Sequence, residues 1–257
     1  MLIVCKFFVT LIVYGLIASS SWACHLKVHV VNYPPIAISP IVKTNTTGQW
    51  QGLNILYIDA LFRAAKCSYT LYEIPFARGI SLVQQGEMDL AINISKMPER
   101  EALMHFIGPQ RIEEIVFVTR KSQFEPITSW EQFKALEARL MWQTGAYFGE
   151  ELANIVGNDN AFKSSVIYRA DNITMIELIE RDRADGYFVT KSYFNYQKKH
   201  NPKYQQLEAH PLVINYDSMY YAFSKRSVSD ETLQIFERAF EQIQKMNIGK
   251  RVEATNF

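Results

Sequence analysis

Arg100 is the residue of this 257-residue chain whose setting points most directly to chemistry. It follows the run Met88-Asp89-Leu90-Ala91-Ile92-Asn93-Ile94, whose alternation reads as a half-buried strand with the polar groups of Asn93 and Ser95 at its C-terminal end. Pro98 then opens a short helix that carries Arg100. In open α/β sheets ligands sit beyond the carboxyl ends of strands, and a guanidinium offers a planar fork that pairs two-pronged with a carboxylate. Asn93, Ser95 and Arg100 therefore predict a seat for a small anion. The competing reading is a surface ion pair with Glu99 or Glu101.

A second anion-binding element is predicted at Gln143-Thr144-Gly145-Ala146-Tyr147, a turn read as leading into a helix over 147–156. Its backbone N–H groups and the Thr144 hydroxyl would face an anion at a helix N-terminus. Alternatively, Gly145 merely permits a tight strand-to-helix turn. Arg78 either adds positive charge to the same region or pairs with Glu73 or Glu87. No Ser-His-Asp order, HExxH, GxSxG or phosphate loop occurs, and the five histidines are scattered. His25 beside Cys24 offers too few ligands for a metal site. No cofactor is expected.

The elements that must position these residues alternate in type. Strands are predicted at 26–31, 69–74 and 89–94, with helices at 53–65 and 79–85 between them; a strongly β segment follows at 114–119. A second series comprises helix 130–136, strand 139–143, helix 147–156, strand 165–168, helix 173–181, strand 186–189 and a polar helix at 192–198. The tyrosine-rich segment 212–223 then leads back, and an amphipathic helix occupies 230–246 after a Ser229 cap. Strands alternating with helices imply mostly parallel sheets covered on both faces. The expected fold is α/β with two lobes. Residues 24–118 plus 217–257 form the first, residues 119–216 the second, and hinge crossovers lie near 114–120 and 212–223. A cleft between the lobes follows, and the crossovers can absorb a hinge rotation around a ligand.

Residues 1–23 read as a secretory signal peptide: Lys6, an apolar run over 7–17 and small residues ending in Ser21-Trp22-Ala23, with cleavage after Ala23. The run is too short to span a bilayer comfortably. Cleavage discards Cys5 and leaves Cys24 and Cys67 in an oxidising compartment, the periplasm. Each stands at the start of a predicted strand, and adjacent parallel strands would bring the two within disulfide reach; two separate thiols are the alternative. Cleavage also removes Lys6 from 27 basic residues, so the balance with 26 acidic ones becomes even. That balance and the absence of a basic patch argue against nucleic acid as a partner. A monomer is expected.

Taken in order, several landmarks resemble the bacterial periplasmic solute-binding proteins of family 3, the amino-acid-binding class of ABC transporter substrate-binding proteins. They are Tyr33-Pro34-Pro35, Gly48 to Gly52, Pro75-Phe76-Ala77-Arg78, Gly86-Glu87-Met88-Asp89, Pro98-Glu99-Arg100, Gly145-Ala146-Tyr147-Phe148-Gly149 and Arg183-Ala184-Asp185-Gly186-Tyr187. The resemblance implies a non-enzymatic binder that closes on a small solute and serves an inner-membrane permease or a sensor kinase. It implies that Arg100 grips a carboxylate with help from Asn93 and Ser95, and that Tyr33 and Phe76 form aromatic walls. The turn at Thr144, Gly145, Ala146 and Tyr147 completes the site from the second lobe. Two departures stand out. Thr190 occupies the position where the amino-acid binders carry an ammonium-holding aspartate, and Leu56 replaces an acid of the first helix. An ammonium without a carboxylate in a closed cleft costs on the order of several kcal/mol, so a standard amino acid is not the expected ligand unless another acid, such as Asp171 or Glu150, substitutes. The alternatives are a prephenate dehydratase-like enzyme on the same scaffold, with Glu73 or Glu99 as general acid, and a degenerate lobe pair that acts through protein contacts.

Overall fold

A computed structural model describes residues 24–41 and 48–245; the predicted signal peptide lies outside them, as does the last stretch of the chain. Eight strands occupy β1 (His25–Val30), β2 (Ser68–Glu73), β3 (Leu90–Ser95), β4 (Met104–Arg120), β5 (Leu140–Gln143), β6 (Val166–Arg169), β7 (Gly186–Thr190) and β8 (Leu207–Ser224). Among the described residues the α-helices are α1 (Leu53–Ala65), α2 (Phe76–Gln85), α3 (Pro98–Glu101), α4 (Trp130–Lys134), α5 (Glu150–Asn158), α6 (Asn160–Ser165), α7 (Asn172–Glu180), α8 (Lys191–His200) and α9 (Asp230–Lys245).

The strands form one sheet in the order β2-β1-β3-β8-β4-β7-β5-β6. Its two ends are parallel trios: β1 pairs in parallel with β2 and β3, and β5 with β6 and β7. The predicted crossovers are longer than the sequence suggests. β4 and β8 run antiparallel to each other down the middle of the sheet, β8 against β3 on one side and β4 against β7 on the other. The β4–β8 register shifts between Ile107 and Arg111, across Gly108-Pro109. That interruption, with charged Arg111, Glu113 and Glu114 beyond it, hides the first half of β4 from a reading by alternation.

Separate apolar clusters stabilise the two ends. At one, Leu61 and Phe62 of α1 pack with Phe236 of α9 and with Val28 and Phe223 of the sheet. At the other, Phe117, Phe133 and Phe188 form a cluster of ring contacts with centroids 5.4 to 6.1 Å apart. Fully burying such side chains contributes about 1.5–3 kcal/mol each, so each end holds its own core and the central strands join them. Cys24 and Cys67 stand one residue before the paired strand starts His25 and Ser68, and they form the disulfide with Cα atoms 4.7 Å apart.

Two glycines fix how helices leave the sheet. Gly52, at φ 113, caps α1, and a Cβ there would lie 2.5 Å from the Ile36 carbonyl oxygen. Only glycine lets the two backbones approach so closely, and the approach anchors the first turn of α1 through Asn54 N–H to Ile36 O at 2.8 Å. Gly149, at φ 106, delays the next helix: α5 starts at Glu150, whereas the sequence predicts a helix from Tyr147.

Candidate functional site

Both ends of the sheet wall a cavity of about 100 Å3. Tyr33, Phe76, Asn93 and Ser95 line it from the first trio and its loops; Ala146, Tyr147 and Thr190 line it from the second. A wider cleft of about 910 Å3 lies beyond Tyr33 and Phe76, which border both spaces. Tyr33 ties the two ends together. Its hydroxyl lies 3.0 Å from the Thr190 hydroxyl and accepts from the Thr190 N–H at 3.3 Å, and its ring stacks on Tyr193 with centroids 4.4 Å apart. Burial pushes the Tyr33 hydroxyl far above its ordinary range, so it remains a neutral hydrogen-bonding group. Thr190 also caps α8 by accepting from the Tyr193 N–H. It serves the structure as a latch and a cap rather than as a substitute for an acid.

A break in the β3–β8 register between Ala91 and Ile94 coincides with φ 62 at Asn93. Such irregularities re-aim a side chain. Asn93 Oδ1 accepts from Arg111 Nη2 at 2.6 Å, and Asn93 Nδ2 donates to Glu113 Oε1 at 3.3 Å. Arg111 and Glu113 form a buried ion pair on β4, and Glu113 also lines the cavity. Ser95 donates its hydroxyl to Asp217 Oδ2 at 2.6 Å. Asp217 is the register partner of Glu113 across β4 and β8, so two buried carboxylates stand side by side at the middle of the sheet. Burial pushes the Asp217 carboxyl up to about 6; the Ser95 hydrogen bond opposes the rise, and the Glu113 charge adds to it.

Arg100 is 6% exposed and makes neither of the predicted surface ion pairs; Glu101 pairs with Lys96 instead. Its guanidinium donates to the Ser95 carbonyl at 2.9 Å and, across to the other end of the sheet, to the Gly145 carbonyl at 2.6 Å. Phe76 lies beneath it, 5.9 Å from guanidinium carbon to ring centroid. Burial lowers its pKa while Asp217 and Glu99 oppose the shift, but an arginine keeps its charge. Arg100 touches the cavity walls Ser95 and Phe76 but itself lines a separate recess, shared with Met97, Glu99 and Gly145. Among the described residues its direct contacts are carbonyls and a ring, and the carboxylates of Asp217 and Glu99 act on it without an ion-pair contact.

Other predicted positions fall elsewhere. Thr144 is exposed, and its N–H is already given to Arg169 O, as the Ala146 N–H is to Gln143 O. With α5 starting only at Glu150, that turn is not a helix N-terminus, which corrects the predicted anion cradle. Arg78 is exposed on α2 and forms no ion pair with Glu73 or Glu87 among the described residues. Of the suggested substitute acids, Asp171 caps α7 through the Thr174 N–H and borders the wider cleft, while Glu150 is exposed in the first turn of α5. Leu56 is exposed on α1. Glu73 and Glu99 are exposed, outside the cavity.

Of the polar residues that line the cavity, His29, Asn54 and Glu113 escape a reading of the sequence. Glu113 shares one face of β4 with Arg111, Ile115 and Phe117, the last two of them core, but only the pairing with β8 shows that this face is buried. Asn54 follows the Gly52 that pins α1 to the first loop. His29 alternates with core positions Val28 and Val30 on β1, and nothing in the sequence distinguishes it.

Solved structures of the same architecture cover nearly the whole chain. An ancestral arginine-binding protein bound to arginine is 17% identical with a TM-score of 0.74, covering 91% of this chain and 98% of that one. A histidine kinase sensor domain with similarity to periplasmic binding proteins is 16% identical with a TM-score of 0.74, covering 91% and 95%. An amino acid ABC transporter substrate-binding protein from Streptococcus pneumoniae, bound to L-arginine, is 19% identical with a TM-score of 0.71, covering 90% and 93%. At these identities the likeness establishes the fold. No curated protein matches the chain. The family model for bacterial extracellular solute-binding proteins, family 3, matches residues 30–253, and the chain belongs to that family.

Proposed function

We propose that the protein is a periplasmic binder that closes on a small carboxylate-bearing or amino-acid-like solute and presents it to a membrane partner, a permease or a sensor kinase. Arg100 carries this reading. A permanently charged guanidinium is buried where the two ends of the sheet meet, and its hydrogen bonds among the described residues go to carbonyl oxygens, one from each end. A solute carboxylate offers the same acceptor geometry with a compensating charge, and a charge-assisted hydrogen bond is about twice as strong as a neutral one. Replacing the Gly145 carbonyl by that carboxylate requires the second end of the sheet to shift, which couples occupancy to the relative placement of the two ends. Tyr33, Phe76, Asn93, Ser95, Ala146, Tyr147 and Thr190 form the walls around the solute, and Arg78 and Thr144 stand outside it. Relatives of the same fold that bind arginine support an amino-acid-like ligand, and the kinase sensor domain among them keeps sensing beside transport.

Thermal-shift titration of the purified mature protein with L-amino acids and small mono- and dicarboxylates tests the reading. At least one solute should raise Tm by several degrees, since a ligand at a hundred times its Kd adds about 2.7 kcal/mol. Arg100→Ala should abolish that shift. A shift of equal size in Arg100→Ala would remove Arg100 from the site.

A further inference from the structure

Two guanidinium and two carboxylate groups meet at the middle of the sheet, and their contacts are unequal. Glu113 on β4 takes the Arg111 ion pair and the Asn93 amide, both on Oε1. Asp217, its register partner on β8, has neutral donors in contact: the Ser95 hydroxyl at 2.6 Å and the Ser218 N–H. Its matching cation is Arg100, held one group away, since the guanidinium donates to the carbonyl of the same Ser95 at 2.9 Å. The Arg100 charge draws the Asp217 pKa down and the Asp217 charge draws the Arg100 pKa up, so each stabilises the other without touching it.

Two positive charges balance two negative ones in this cluster. A solute carboxylate on Arg100 adds a third negative charge in a buried space and occupies the cation that Asp217 depends on. A buried carboxylate without a compensating charge takes up a proton. Glu113 keeps Arg111 in direct contact, so Asp217 is the group that does so, and its Oδ2 still accepts from Ser95 afterwards. The other titratable groups nearby do not compete. The Nε2 of His29 lies 3.0 Å from the Ile74 carbonyl, which only accepts, and burial lowers the pKa of that ring and keeps it neutral. Burial pushes the Tyr147 hydroxyl up, so it stays protonated, and Glu99 is exposed.

We infer that Asp217 takes up a proton when a solute carboxylate settles on Arg100, so that the protein captures the carboxylate together with a proton and holds it more tightly in acidic surroundings. The inference rests on the solute-binding reading. Solvent supplies the proton, one O–H bond forms on the Asp217 carboxyl, and the four-group cluster plus the solute carboxylate returns to charge balance. The sign follows from linkage. Asp217 titrates at about 6 in the solute-free protein, and a second anion nearby moves it higher, so affinity rises as pH falls toward 6 and levels off below it.

The probes are lactate, pyruvate and the standard L-amino acids except histidine and cysteine, none of whose carboxylates titrates between pH 5.5 and pH 8. The probe that raises Tm most is taken to calorimetry on the mature protein, in phosphate and in Tris at pH 6.5, where the difference in binding enthalpy counts the protons exchanged. Uptake of about half a proton per solute is expected, with affinity about threefold or more tighter at pH 5.5 than at pH 8. Asp217→Asn should abolish both the uptake and the pH dependence. A carboxyl carbon NMR titration of the wild type reads the same event without a variant, and the Asp217 midpoint should move up when the probe is present. Binding with no proton exchange, with proton release, or with the same pH dependence in folded Asp217→Asn would overturn the inference and leave solute binding standing. No Tm shift with any probe would overturn both readings.

Discussion

Charge placement at single residues decides most of what this site can do. Asp217 is a carboxylate whose burial raises its pKa from 3.8 to about 6. A raised carboxylate binds its proton more tightly in the folded than in the unfolded chain, so folding stability contributed by this group falls as pH rises from about 4 to 6. Asp217→Asn keeps an acceptor for Ser95 and removes that dependence. Urea denaturation at pH 4 and pH 7 should show the variant gaining on the wild type by on the order of 2–3 kcal/mol at the higher pH, following about 1.4 kcal/mol per pKa unit. An unchanged difference between the two pH values would mean that Asp217 ionises freely. At this scale the sequence revealed the placement of Arg100 better than that of the groups around it. Arg100 was visible because it follows a strand and a proline. Glu113 was not, since an acid on a strand reads as the solvent face unless the pairing of β4 with β8 is known. Thr144 misled because the left-handed Gly149 moves the start of α5 beyond it.

At the scale of elements, α2 sets the position of His29. Gly79 packs so closely on that ring that an added Cβ would stand 2.0 Å from its Cδ2 and Nε2 atoms. Gly79→Ala must therefore push the ring off the Ile74 carbonyl. The expected cost is about 1–3 kcal/mol of stability, read by denaturant unfolding, together with weaker solute binding. The bond from Cys24 to Cys67 closes 43 residues and secures the edge pair β1–β2. Replacing both cysteines by serine should cost about 2–4 kcal/mol, largely by loosening the unfolded chain, and thermal unfolding with and without reductant measures it. Strand and helix order was legible because the hydrophobic period changes from two to 3.6 along the chain. The full length of β4 was not, because Gly108-Pro109 interrupts its alternation.

For the whole molecule, the continuous sheet explains how two cores can move against each other. β4 and β8 are shared by both ends, whereas the contacts across the cavity are few: Tyr33 with Thr190 and Tyr193, and Arg100 with Gly145. Tyr33→Phe removes one of these hydroxyl contacts at a cost of about 1 kcal/mol and should shift the solute-free protein toward an open form, seen as a larger radius of gyration in X-ray scattering. The two alternating series of strands and helices were legible in the sequence, but the contacts that join the two ends of the sheet were not, since they link residues 157 and 45 positions apart. On the proposed reading, a solute occupies the space between Phe76, Asn93, Tyr147 and Thr190. A crystal structure of the protein with a solute that raises its Tm tests this most directly. Density in that cavity, with a carboxylate on Arg100 in place of the Gly145 carbonyl, is the predicted result; a solute bound elsewhere, with Arg100 still on Gly145, would contradict it.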